Sequence, residues 1–163
     1  MKPTDTLTTL FSHNLWANVR ILEQWANLTS EQLDATISGA FGSIRDTLQH
    51  IVTSEQSYLY RIRTGQPLDR PEDAAPLTIA EMLESVRASG AGLIEWAPRV
   101  QAGDTVQVDW DNGMIREVPK AFYLTQVINH ATEHRAQVMA IMTQFGLQAP
   151  DLDTWSYFEA LEQ

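Results

Sequence analysis

The chain contains no cysteine. That excludes disulfides, thiolate-ligated zinc and any mechanism with a protein thiol as nucleophile. Positive charge is scarce: 11 Lys and Arg stand against 21 Asp and Glu, a formal net charge of -10. A surface that acidic repels phosphate, which argues against nucleic acid and anionic membranes as partners. No apolar run approaches the ~18 residues of a membrane span. The start, MKPTDTLTTLFSHNLW, has no apolar h-region of a signal peptide. The expected compartment is therefore the cytoplasm, by absence of an address. Low-complexity tracts and internal repeats are lacking too. With 163 residues, 44% hydrophobic and 20% charged, residues 1–163 are expected to form one domain with a core that needs no staples.

Four long amphipathic patterns are present. The first runs from about Thr4 to Ala26, with Leu7, Leu10, Phe11, Leu15, Val19 and Leu22 on one face. Asn14 and Asn18 fall on that face, and buried amides need partners, so something polar is expected inside the fold. His13 points the other way, beside Arg20, and is expected in solvent. Residues 26–42 read as a connection with a short turn at Ser30–Leu33. The second helix begins at Ser43, where Ser43 and Asp46 form a variant capping box. Its apolar face is Ile44, Leu48, Ile51, Tyr58, Leu59 and Ile62, and Gly65 stops it. Residues 65–76 form a Pro-rich, acidic surface loop. The third helix starts at Thr78, with Glu81 completing a capping box and Leu77 and Met82 a hydrophobic staple. It should stop before Pro98, with Gly90 and Gly92 weakening its middle. Then the period changes: Val106, Val108 and Trp110 alternate with polar residues, Asn112-Gly113 follows, and Ile115 and Val118 come after, which predicts a β-hairpin. Pro119 suits the first turn of a last helix that runs to Phe145 and ends at Gly146. In the tail, Leu152, Trp155 and Phe158 are expected to fold back on the body. The fold class is all-α, a four-helix bundle with a small β-hairpin before the last long helix.

The chain has four histidines: His13, His50, His130 and His134. His130 and His134 lie one turn apart on the last helix, on the face that also carries Tyr123, Val127, Val138, Ile141 and Phe145. Both imidazoles point inward. Pattern alone leaves two readings open: a hydrogen-bonded core pair, or a pair held neutral by a divalent cation. His50 lies at the edge of the second helix's apolar face, either as a half-wet boundary residue or as a third ligand across the bundle. Three histidines with an open position make a catalytic type of site, because structural zinc sites are closed by four ligands. The stretch His130-Ala131-Thr132-Glu133-His134 also fits H-x-x-E-H, in which Glu133 would act as general base. Those peptidases are larger and need a further acidic ligand, so Glu133 fits better as a solvated residue or a proton-transfer neighbour. Gln126 and Gln137 flank the histidine face. Asp46, one turn before His50, is placed to orient that ring. Asn14 and Asn18 read as ties between helices, and Trp110, Tyr123 and Tyr58 as walls of a pocket or as core.

Four ordered blocks carry a resemblance. They are Asn14-Leu15-Trp16-Ala17-Asn18; Phe41-Gly42-Ser43-Ile44 followed by Thr47-Leu48-Gln49-His50-Ile51; Asn129 through Gln137; and Gly146 through Asp153. Together they span nearly the whole chain. The sequence resembles the DinB-like superfamily of small bacterial metal-binding four-helix proteins, which includes the YfiT-type thiol transferases. Ala136 stands where the family commonly has Gly. The unrelated DNA polymerase that shares the DinB name is excluded by the short length and acidic charge. The resemblance implies a metal triad of His50, His130 and His134, and it implies activity on small molecules with a low-molecular-weight thiol as cosubstrate. It also implies a homodimer.

A metal on three neutral histidines keeps its charge. It can lower the pKa of a bound water toward ~7 or deprotonate a coordinated thiol. The expected function is a thiol-dependent S-transferase acting on a small electrophile. The alternatives are a hydrolase using metal-bound hydroxide and a non-catalytic metal or small-ligand binding protein. Imidazole suits Zn, Ni, Cu and Fe alike, so the ligand set does not name the metal; the expected ion is Zn or Ni, with Fe, Cu, Co and Mn as alternatives.

Overall fold

A computed structural model describes residues 3, 5–71, 73–110 and 113–163, with the side chain of Trp110 left aside. The elements are α1 (Thr6–Trp25), α2 (Ser30–Leu33), α3 (Ile44–Thr64), α4 (Ile79–Trp96), a 3-10 turn (Ala97–Arg99), β1 (Thr105–Trp110), β2 (Met114–Pro119), α5 (Lys120–Gln144) and α6 (Thr154–Ala160). The expected bundle with its hairpin is therefore the fold. No described helix is long and apolar enough to cross a membrane.

The boundaries follow from local chemistry. Asp5, Thr29, Ser43, Thr78 and Asp153 each accept from a backbone N–H of the first turn of the helix they precede. The Ser43–Asp46 and Thr78–Glu81 capping boxes are both formed. Gly65 ends α3 at φ 75°, a left-handed cap that costs other residues strain. Two expected ends fall on residues outside those described, Thr4 for α1 and Asn112 for the hairpin turn. Pro98 lies inside the 3-10 turn rather than after the helix, since its missing N–H is harmless there. Pro119 closes β2 and caps α5 instead of entering the helix. The preceding ladder sets this position: Thr105 pairs with Pro119, and the Lys120 N–H donates to the Asp104 carbonyl at 2.8 Å.

α1 packs between α4 and α5, and α3 packs between the same two helices on the other side. α1 and α3 are thus diagonal, and residues 26–43 with α2 carry the chain across. Two apolar clusters fill the interior. One holds Ala17, Ile21, Leu48, Ile51, Met82 and Ile141; the other holds Phe11, Leu59, Ile62, Leu93, Leu124 and Val127. Across the bundle runs a buried polar bridge. The amides of Asn14 and Asn18 donate to Glu55 Oε2 at 2.8 and 2.9 Å. Their carbonyl oxygens accept from Arg135 Nη1 at 2.8 and 2.6 Å. Ser89 donates to Glu55 Oε1 at 2.5 Å. All four long helices are thereby tied, so the asparagines are ties.

Gly90 and Gly92 do not interrupt α4. A Cβ on Gly90 would lie 2.9 Å from Leu15 Cβ, so the residue lets α1 approach. Several apolar expectations are corrected. Leu10 and Phe145 are exposed, because α1 and α5 present their neighbouring faces inward. In the tail, Leu152 is buried, but Trp155 and Phe158 are exposed and Tyr157 points in. Tyr157 wins the inward position through ring contacts with His13 at 5.7 Å and Trp16 at 5.4 Å. His13 is accordingly half-buried rather than in solvent, with its Nε2 donating to the Leu152 carbonyl at 2.8 Å.

Candidate metal centre

His50 sits two turns into α3, while His130 and His134 follow one another up α5, the helix packed against α3. Their ring nitrogens converge within 4.8 Å of one another. Ring centroids are 4.8 Å apart for His50–His130, 4.8 Å for His50–His134 and 4.4 Å for His130–His134. His134 is buried and the other two are half-buried, so the cluster is partly open to solvent.

The surroundings orient the rings. Gln137 Oε1 lies 3.0 Å from His134 Nδ1 and also accepts the Phe41 backbone N–H at 3.2 Å. A carbonyl oxygen can only accept, so His134 carries its proton on Nδ1 and keeps a lone pair on Nε2. His50 Nδ1 faces the Ser54 hydroxyl at a long 3.5 Å. Phe41 stacks on His50 at 4.2 Å and 17°, and meets His134 edge-on at 5.1 Å. Tyr58 meets His130 edge-on at 5.6 Å.

Burial holds two of the three rings toward the neutral form. Burial pushes the His130 pKa down to about 4, and the His134 and His50 rings add to the effect. Burial, then His134, also lowers that of His50. Neutral imidazoles are the ligating form. His50 Nε2 and His130 Nε2 stand 2.9 Å apart, one ring donating to the other. Tetrahedral zinc with bonds of 2.0–2.1 Å would separate its nitrogens by about 3.4 Å. A shift of a few tenths of an ångström therefore turns this contact into a ligand pair, and the three residues fit a divalent ion.

The other sequence candidates divide. Gln137 orients a ring of the cluster. Tyr58, Tyr123 and Gln126 line a cleft beside it. Trp110, expected in that wall, has its side chain outside the described residues. Asp46 does not serve His50: its carboxylate accepts from the N–H and hydroxyl of Ser43 at 3.3 and 2.6 Å, because a helix N-terminus holds it first. Glu133 is exposed and stands outside the cluster. Sequence reasoning missed Phe41 and Ser54, which touch the rings, and Glu55 and Arg135, which answer Asn14 and Asn18. A charged residue in register with an apolar stripe, Glu55 between Ile51 and Leu59, was the available signal for the last two.

The chain is similar to known proteins over most of its length. A curated relative, Protein DinB of Bacillus subtilis (strain 168), is 24% identical over 163 residues, covering 94% of each chain. The crystal structure of a DinB-like protein from Bacillus cereus ATCC 10987 superposes with a TM-score of 0.60 at 22% identity, covering 86% of this chain and 91% of that one. That likeness speaks for the fold. The model of the DinB family matches residues 1–163. With the match running the full length and a three-histidine cluster able to hold a metal ion at its centre, the chain belongs to the DinB family.

Proposed function

We propose that the protein is a metal-dependent enzyme, a thiol-dependent S-transferase acting on a small electrophile. The observation that supports it most is the composition of the cluster: three imidazoles, two of them half-buried, and no carboxylate among the grouped residues. A divalent ion bound there supplies a Lewis acid that lowers the pKa of a coordinated thiol. Neutral ligands leave the full charge of the ion in place, which favours an anionic sulfur ligand. The chain has no cysteine of its own, so the thiol is a cosubstrate. A thiolate attacks without help from a protein base, and this matches the position of Glu133, exposed and away from the rings. The roles left to the chain are to hold His134 through Gln137, to cover His50 with Phe41 and to keep His130 unprotonated by burial.

The test begins with elemental analysis of tag-free protein. About one divalent ion per chain is expected in the wild type and none in His50→Ala or His130→Ala. Loaded protein is then assayed with small thiols and electrophiles. The expected result is turnover that needs both metal and thiol. Turnover with water alone would point to a hydrolase instead, and tight metal retention with no turnover to a binding protein.

A further inference from the structure

The hairpin does not lie flat on the bundle. Val106 anchors it, 3% exposed, and Arg61 Nη1 donates to the Gln107 carbonyl at 3.1 Å. Beyond that anchor a cleft of about 490 Å³ opens between the hairpin, α3 and α5. This is the size range of small-ligand pockets. Its hairpin wall is Val108 and Val118, and its bundle wall is Tyr58, Tyr123 and Phe122. Phe122 is 69% exposed, an apolar ring the core does not use.

The cleft lies beside the histidine cluster, and Tyr58 is the lining residue that touches it. Tyr123, Gln126 and His130 recur at i, i+3 and i+7, so they form one stripe along α5. Tyr58 meets both Tyr123, at 6.0 Å, and His130, at 5.6 Å, edge-on. Two phenol rings and a phenyl ring offer faces and edges for aromatic packing. Gln126 and the tyrosine hydroxyls supply the few polar contacts. The one charged side chain in the lining is the carboxylate of Asp109. Of the cations near it, Arg61 is engaged by the Gln107 carbonyl and the Tyr123 hydroxyl, and Arg116 stands opposite Val108 in the ladder, outside the lining. On a protein of net charge -10, a cleft whose one charged lining residue is a carboxylate disfavours anions.

We propose that this cleft is a binding site for a small aromatic group without negative charge, held with its near end toward His130. The inference deepens the transferase reading by naming the class of electrophile, and it rests on that reading only for the direction in which the ligand faces.

The uncharged dye N-phenyl-1-naphthylamine is titrated into full-length protein and displaced by benzyl alcohol, benzylamine or benzoate, with metal content measured on the same samples. Benzyl alcohol and benzylamine are expected to displace the dye at concentrations ~10-fold below benzoate. Phe122→Ala, at an exposed position that spares the fold, is expected to weaken dye binding ~10-fold with metal content unchanged. Asp109→Asn, also at the surface, is expected to narrow the gap between benzoate and benzyl alcohol. Equal displacement by all three compounds, or dye binding indifferent to both substitutions, overturns the proposal even if metal is bound. Selective binding that responds to both substitutions upholds the site even in protein that takes up no metal, in which case the transferase reading is what fails.

Discussion

One oxygen of Gln137 accepts from both His134 Nδ1 and the Phe41 N–H, so it fixes a ring and a loop together. Replacing it by Met, which keeps the length and loses the acceptor, should weaken metal binding ~10–100-fold. Chelator competition reads that loss, and the melting temperature should move little. The histidines also set a pH dependence. In the folded protein His130 titrates near 4, against 6.5 in the unfolded chain. Between those values the unfolded chain binds the extra proton, so stability falls as pH drops through the window and is fully regained above it. Metal-free wild type should therefore lose more of its urea midpoint between pH 7 and pH 5 than metal-free His130→Gln. At this scale the sequence was readable where a residue repeats on a helical period, as His130 and His134 do. It placed Phe41 in a block of the resemblance but gave it no role, because Phe41 reaches the rings from a loop whose path no periodicity encodes.

Among the elements, α4 offers the sharpest test. Ala for Gly90 gains about 1 kcal/mol of helix propensity. The added methyl collides with Leu15, with Cβ to Cβ at 2.9 Å. Overpacking of this kind costs about 1–3 kcal/mol. Gly90→Ala should therefore lower stability despite the better helix former, as a denaturation midpoint will show. The capped starts of α3 and α4 and the hairpin were legible because caps and alternation act within a few residues. The phase of α6 was not. Trp155, Tyr157 and Phe158 point in three directions around a short helix, and contacts of Tyr157 with His13 and Trp16 on α1 decide which one is buried.

At the scale of the whole molecule, the bridge from Arg135 through Asn14 and Asn18 to Glu55 and Ser89 is the interaction that spans the bundle diagonal. Burial pushes the Glu55 carboxyl up, while Ser89, Asn14, Arg135 and Asn18 pull it back. Arg135→Leu would leave that carboxyl, 2% exposed, with its three neutral donors but without its balancing cation. Removing one partner of a buried charge pair costs about 3–5 kcal/mol. The urea midpoint should drop accordingly, and replacing Glu55 by Gln in the same chain should restore part of it. The two asparagines announced that an interior partner existed, but the identity of that partner depends on how four helices meet. The same long-range dependence governs the histidine cluster, where the hydrogen-bonded pair, His50 and His130, is 80 residues apart in the chain. While the polypeptide is still emerging from the ribosome, or after it is cut between α3 and α5, it can offer an ion a single ring or one neighbouring pair. An ion held by all three rings would therefore have to wait for the fold, and the choice among competing ions would fall to the finished cluster and to whatever the cell leaves exchangeable at that moment.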